Sequence, residues 1–120
     1  MLVVDDAPSV AVSTAEILVG AGLDVAVAST VEQAARVMVD RGTRCVILDG
    51  SIVDGNEGYV SDQCWGHPAV ILMSGLGFHE LEAQRRTYGD QIYAYLAKPV
   101  APRKLIEVVE AALAQLHRVT

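Results

Sequence analysis

Arg44-Cys45-Val46-Ile47-Leu48-Asp49 is an apolar run that halts on a carboxylate and passes straight into Gly50-Ser51. An apolar run of that length, carrying β-branched residues and followed by a turn, reads as a strand buried on both faces. Such a strand needs helices on both sides of its sheet. The rest of the chain supplies them, because strand and helix patterns alternate five times with no linker or charge block between them. Right-handed crossovers then leave an α/β fold with a parallel, doubly wound sheet. In such sheets, ligands bind beyond the carboxyl ends of the strands.

The elements follow in order. Leu2 to Val4 is a first short strand ending on Asp5-Asp6, and Pro8 suits the first turn of a helix. Val10, Thr14, Ile17, Leu18 and Ala21 are expected to form that helix's inner face, with Gly20 or Gly22 ending it. Asp24 to Ala28 is a second strand. Thr30 and Gln33 fit a capping box, Val31, Ala34, Ala35 and Met38 face inward, and Gly42 closes the second helix. After the third strand, Asp49 to Gly58 reads as a mobile loop, followed by a short helix over Glu57 to Gln63. Ala69 to Met73 is a fourth strand ending on Ser74-Gly75, and a fourth helix runs from Phe78 to Thr87. Ile92 to Leu96 is a fifth strand before Ala97-Lys98-Pro99. Pro102 opens the last helix, whose apolar row is Leu105, Val109, Ala112 and Leu116, with Val108 a candidate partner contact.

A chain of 120 residues is long enough to bury one core, and a single domain over 1–120 is expected. No apolar segment approaches the roughly 18 to 20 residues of a membrane span, and the N-terminus lacks a basic region or cleavage site. A net charge of −6 disfavours direct nucleic-acid binding, which needs a basic stripe. Cys45 and Cys64 form neither a disulfide framework nor a metal spacing, so reduced thiols in a cytoplasmic protein are expected. His67, His79 and His117 show no ligand spacing and are expected at the surface, and Trp65 reads as a loop aromatic at the core edge.

Asp5, Asp6, Asp49, Ser74 and Lys98 all fall just beyond strand ends, so a parallel sheet gathers them on one edge. Three carboxylates in one cluster repel unless a cation neutralises them. Hard oxygen ligands at that density suit Mg²⁺, which also keeps water and phosphate oxygens. Lys98 adds a positive charge and Ser74 a hydroxyl, making a site suited to a phosphoryl group. Each residue alone has a plainer reading: Asp6 before Pro8 as a helix cap, Ser74 as a turn residue, Lys98 as a solvated charge, Tyr95 as packing.

Taken together, Asp5-Asp6, Asp49, Ser74, Tyr95 and Lys98-Pro99 make the chain resemble the receiver domain of bacterial response regulators. The resemblance covers essentially the whole chain and implies the flavodoxin-like strand order 2-1-3-4-5. It also implies a phosphorylation switch. Asp49 would accept a phosphoryl group from the phosphohistidine of a histidine kinase or phosphotransfer protein. Asp6 would bind Mg²⁺ directly and Asp5 largely through water, with Asp49 and the backbone carbonyl of Ser51 completing the site. Ser74 and Lys98 would hold the phosphate, and Tyr95 would turn inward as Ser74 is pulled over. The Lys98-Pro99 bond would be cis, as is usual in the family. Such a module is a switch and not an enzyme, beyond self-phosphorylation and self-dephosphorylation. It acts on a downstream protein target or an output domain elsewhere in a longer protein, with room for a weak homodimer.

The chain departs from that family's pattern at three places. Ile52 and Val53 stand where Met and Pro are common, the loop glycine falls one position late at Gly58, and Asp90-Gln91-Ile92-Tyr93 replaces a compact turn. These changes bear on loop shape and on the partner surface of the fourth helix. They motivate an alternative, a pseudo-receiver that keeps the fold as a phosphorylation-independent interaction module. A metal-dependent phosphatase is disfavoured by Ser51, where that class carries a second acid. Nucleotide hydrolysis is disfavoured because no G-x-x-x-x-G-K loop occurs.

Overall fold

The computed structural model describes residues 1–53, 68–75, 78–89 and 92–119. Strands β1 (Leu2–Val4), β2 (Ala26–Ala28), β3 (Cys45–Asp49), β4 (Ala69–Ser74) and β5 (Ala94–Ala97) form one parallel sheet in the order β2-β1-β3-β4-β5. The helices are α1 (Pro8–Gly20), α2 (Val31–Arg41), α3 (Gly50–Val53), α4 (Phe78–Tyr88) and α5 (Pro102–Val119). The parallel, doubly wound sheet is as expected from the strand and helix alternation, and its order is the flavodoxin-like one that the resemblance implied.

The two-residue period of the strands sorts the core into two clusters. Leu2, Val4, Val46, Leu48, Val70 and Leu72 point to one face, packed with Val31, Ala34 and Met38 of α2, Ile52 of α3 and Tyr88 of α4. Val3, Cys45, Ile47, Ile71 and Met73 point to the other, against Ala11 and Leu18 of α1 and Leu105, Val109 and Ala112 of α5. Every residue of β3 is buried, as its unbroken apolar run requires.

Local chemistry explains the helix ends. Thr30 Oγ1 accepts from the Gln33 N–H at 3.1 Å, while the Gln33 carboxamide oxygen accepts from the Ser29 N–H at 2.9 Å. The reciprocal bond therefore reaches one residue further back than the usual capping box. Gly42, at φ 60°, takes the left-handed conformation that ends α2. The Lys98-Pro99 bond is cis.

Several expectations need correction. The buried row of α1 is Ala11, Thr14 and Leu18, whereas Val10 and Ala21 are exposed and Ile17 is partly buried. The helix is apolar nearly all round, so its pattern left the rotation underdetermined. The segment after Asp49 begins as a helical turn, Gly50–Val53, not as loop. Its Ile52 turns into the core. Strands β2 and β5 start two residues later than expected. Val108 packs against the α5-side core instead of standing free for a partner. The expected helix over 57–63, and Gly58, Cys64, Trp65, His67 and Asp90-Gln91, lie outside the described residues, as do the side chains of Leu116 and His117.

Candidate functional site

Register explains why distant residues meet. Val4 pairs with Leu48, so Asp5 leaves β1 level with Asp49 at the end of β3. Strands β1 and β3 lie where the chain order reverses direction across the sheet, the position at which ligand crevices open in doubly wound folds. Ser74 ends β4 opposite Ala97 of β5, and its carbonyl accepts from the Lys98 N–H at 2.7 Å. Lys98 is thereby held at the same edge.

Asp5 and Asp49 are buried, at 5% and 8% exposure, while Asp6 is exposed. The two buried carboxylates share one cation. Lys98 Nζ donates to Asp5 Oδ2 at 3.1 Å and to Asp49 Oδ1 at 3.0 Å. Their remaining oxygens are also engaged. Asp5 Oδ1 accepts from the Ala7 N–H at 2.9 Å, and Asp49 Oδ2 accepts from the Ser51 hydroxyl. Burial acts to lower the Lys98 pKa, but its hydrogen bonds and charge attraction to Asp49 and Asp5 outweigh burial and hold it above its ordinary value.

The plain reading of Asp6 as a cap does not hold. The residue at the start of α1 is Ala7, no side chain caps the helix, and the nearby carboxylate that bonds this turn is that of Asp5. Asp6 instead borders an opening of about 300 Å³ also lined by Ser29, Thr30, Glu32 and Ser51. One carboxylate oxygen each from Asp5, Asp6 and Asp49 lie within 4.8 Å of one another. Three carboxylate oxygens so grouped make a hard donor set that could hold a metal ion.

Ser74, 2% exposed, lies at the end of β4, and among the described residues a Cβ at the adjacent Gly75 would meet only the Lys98 stem. Tyr95 is set apart from the carboxylates. Its ring packs partly against the α2-side core, its hydroxyl donates to the Gly89 carbonyl at 2.9 Å, and the Arg85 guanidinium covers the ring face. The edge thus gathers Asp5, Asp6, Asp49, Ser51, Ser74 and Lys98, with Tyr95 one strand outward. His79 is exposed, as expected.

One residue beside the end of β3 was not anticipated. Gln84 of α4 is 7% exposed, and its Nε2 donates to the Gly50 carbonyl at 3.3 Å. A signal for it existed: Leu81, Gln84 and Tyr88 form a buried row at helical spacing, and a carboxamide within such a row needs a polar partner.

Sequence comparison finds no matching family model and no matching curated protein. Solved structures do match. The response regulator receiver domain protein (CheY-like) from Methanospirillum hungatei JF-1 superposes with a TM-score of 0.82 at 24% identity, covering 99% of this chain and 96% of that one. The receiver domain of NtrX from Brucella abortus gives 0.74 at 27% identity, covering 94% and 97%. In NtrX from Brucella abortus in complex with ADP, the match is 0.81 at 30% identity, with 98% of this chain spanning 27% of that longer protein. The fold is therefore that of response regulator receiver domains.

Proposed function

We propose that this chain is a phosphoacceptor receiver domain of two-component signalling, switched by transfer of a phosphoryl group to Asp49. The observation that carries the reading is the Lys98 ammonium bridging Asp5 and Asp49, with Asp6 beside them, at the carboxyl edge of a receiver fold. Asp6, Asp49 and the Ser51 carbonyl would hold Mg²⁺, with Asp5 acting largely through water. The ion would supply positive charge against the clustered carboxylates and the incoming phosphate.

The residues divide the remaining work. An Asp49 oxygen forms the new O–P bond as the N–P bond of a phosphohistidine breaks, the electron pair leaving on the imidazole. Lys98 already touches the acceptor and follows the added charge onto the phosphoryl oxygens. The Ser74 hydroxyl lies at the adjoining strand end, where a bond to the phosphate would draw in the loop after β4 and release space for Tyr95. The donor is a histidine kinase or phosphotransfer protein. The output is a protein target or a domain elsewhere in a longer protein, and the chain acts as a switch, not as an enzyme on external substrates. Among the described residues, no helix is long and apolar enough to cross a membrane.

Intact mass after incubation with Mg²⁺ and acetyl phosphate tests the reading. A gain of one phosphoryl group, absent in Asp49→Asn and without Mg²⁺, is expected. If folded protein gains no mass and Mg²⁺-dependent binding of a beryllofluoride mimic also fails, the pseudo-receiver reading takes its place.

A further inference from the structure

Gln84 ties a helix of the sheet's flank to the peptide that follows the acceptor. The carboxamide lies 34 residues away in sequence, its Nε2 donates to the Gly50 carbonyl at 3.3 Å, and it is buried. The fit is close. A Cβ built on Gly50 would lie 2.9 Å from Gln84 Nε2 and 3.2 Å from its Oε1, so the carboxamide fills the place a side chain at position 50 would take. Among the described residues, Gln84 Oε1 is also buried without a hydrogen-bond partner. Burying an amide oxygen unpaired is costly, so packing alone would be better served by an apolar residue of the same size. The donor end has a defined task instead. Gly50 opens the α3 turn, which carries the Ser51 hydroxyl that bonds Asp49 Oδ2, while Lys98 holds Oδ1. Fixing the Gly50 peptide therefore fixes the direction in which the Asp49 carboxylate faces.

We propose that Gln84 is a positioning residue for phosphoryl transfer, orienting Asp49 through the Gly50 carbonyl; this rests on Asp49 being the acceptor. Gln84 does not touch the phosphoryl group. Its effect falls on the alignment of the attacking oxygen with phosphorus, and hence on the rate of the bound donor and not on donor affinity.

The test follows mass labelling with acetyl phosphate at saturating Mg²⁺, where the Asp49 O–P bond forms as acetate departs with the electron pair. Gln84→Met keeps the volume and removes both polar atoms, and Gln84→Asn keeps the amide but withdraws it by one methylene. Both should fold by circular dichroism. Each should lower the labelling rate at saturating donor about tenfold, the low end for outer-shell partners of a site, with the half-saturating donor concentration unchanged. Unchanged rates in both folded variants would overturn the proposal, as would loss of fold in both, which would make Gln84 purely structural. A folded parent chain that neither labels nor binds beryllofluoride would overturn the Asp49 reading, and this proposal with it.

Discussion

The Arg85 guanidinium carbon lies 5.2 Å from the centroid of the Tyr95 ring, while the Tyr95 hydroxyl donates to the Gly89 carbonyl. Both contacts hold the ring in place, half-buried against the α2-side core. Arg85 also pairs with Glu82 at 3.7 Å, but both side chains are well exposed, and such pairs contribute little. The cation over the ring contributes more, about 0.5 to 1 kcal/mol at an exposed site. Arg85→Ala should therefore lower stability to urea by about that amount, and Glu82→Ala by less. If the ring turns inward on phosphorylation, the same substitution biases it inward beforehand. Beryllofluoride should then bind about two- to fivefold more tightly to Arg85→Ala, since 1.4 kcal/mol is tenfold in affinity. Equal affinity would mean that Tyr95 is packing alone.

Asp6 separates metal binding from folding. It is exposed and does not cap α1, whereas Asp5 and Asp49 are buried and paired with Lys98. Asp6→Asn removes one of three mutually repelling carboxylates, so without Mg²⁺ its stability should match or exceed the parent's, within about 0.5 kcal/mol. With the proposed Mg²⁺ site, the ion at 100 times its dissociation constant should raise the parent's stability by about 2.7 kcal/mol, and that increment should largely vanish in the variant. Calorimetric melting with and without Mg²⁺ reads both effects. A variant that melts lower in the absence of Mg²⁺ would give Asp6 a structural role instead.

The acidic edge was legible because its residues sit at strand ends, and strand ends in a parallel sheet are set by topology. Asp5, Asp49, Ser74 and Lys98 needed only the order of elements to converge, and that order is written in hydrophobic periodicity. Features fixed by side-chain fit were not legible. The rotation of α1 escaped because Val10, Ala11 and Val12 are all apolar, leaving only tertiary packing to choose Ala11 as the buried residue. The helical turn at Gly50–Val53 escaped because glycine and serine after a strand describe a turn without stating its hand. Gln84 escaped because its partner is a backbone carbonyl, and a carbonyl leaves no mark in sequence.

Cys45 gives the fold an alkaline limit. It is fully buried in β3, and burial pushes its thiol up from 9.0 to about 11, with the N-terminal ammonium pulling the other way. The sign follows from linkage. Below pH 9.0 the thiol is protonated in both states, and no stability depends on it. Between 9.0 and about 11 the unfolded chain ionises while the folded one keeps its proton, so stability falls as pH rises. The slope from this group reaches about 1.4 kcal/mol per pH unit. Cys45→Ala lacks that slope, though it starts lower through the cavity it leaves. The gap in melting temperature between parent and variant should narrow from pH 8 to 10.5. A constant gap would show that the thiol does not titrate on unfolding. Native protein at pH 8 should also leave Cys45 unmodified by a thiol reagent, as peptide mapping would read, until denaturant is added.

Gly50 and Gln84 should be coupled in stability because they compete for one volume. A methyl at position 50 would meet the Gln84 carboxamide at 2.9 and 3.2 Å and the Met73 carbonyl at 3.4 Å. The first two contacts are too short to keep, while the third needs little adjustment. Gly50→Ala must therefore push the carboxamide aside, breaking its bond to the Gly50 carbonyl in a packed core. The expected cost is about 1 to 3 kcal/mol, typical of overpacking. In a Gln84→Ala background the obstruction is gone, and the methyl enters the space that the shortened side chain vacates. The penalty for Gly50→Ala should then shrink or reverse, giving an interaction energy of about 1 kcal/mol or more in a double-mutant cycle read by urea unfolding. Additive effects would mean that the carboxamide swings away at no cost. Its hold on the acceptor turn would then be too weak to orient Asp49.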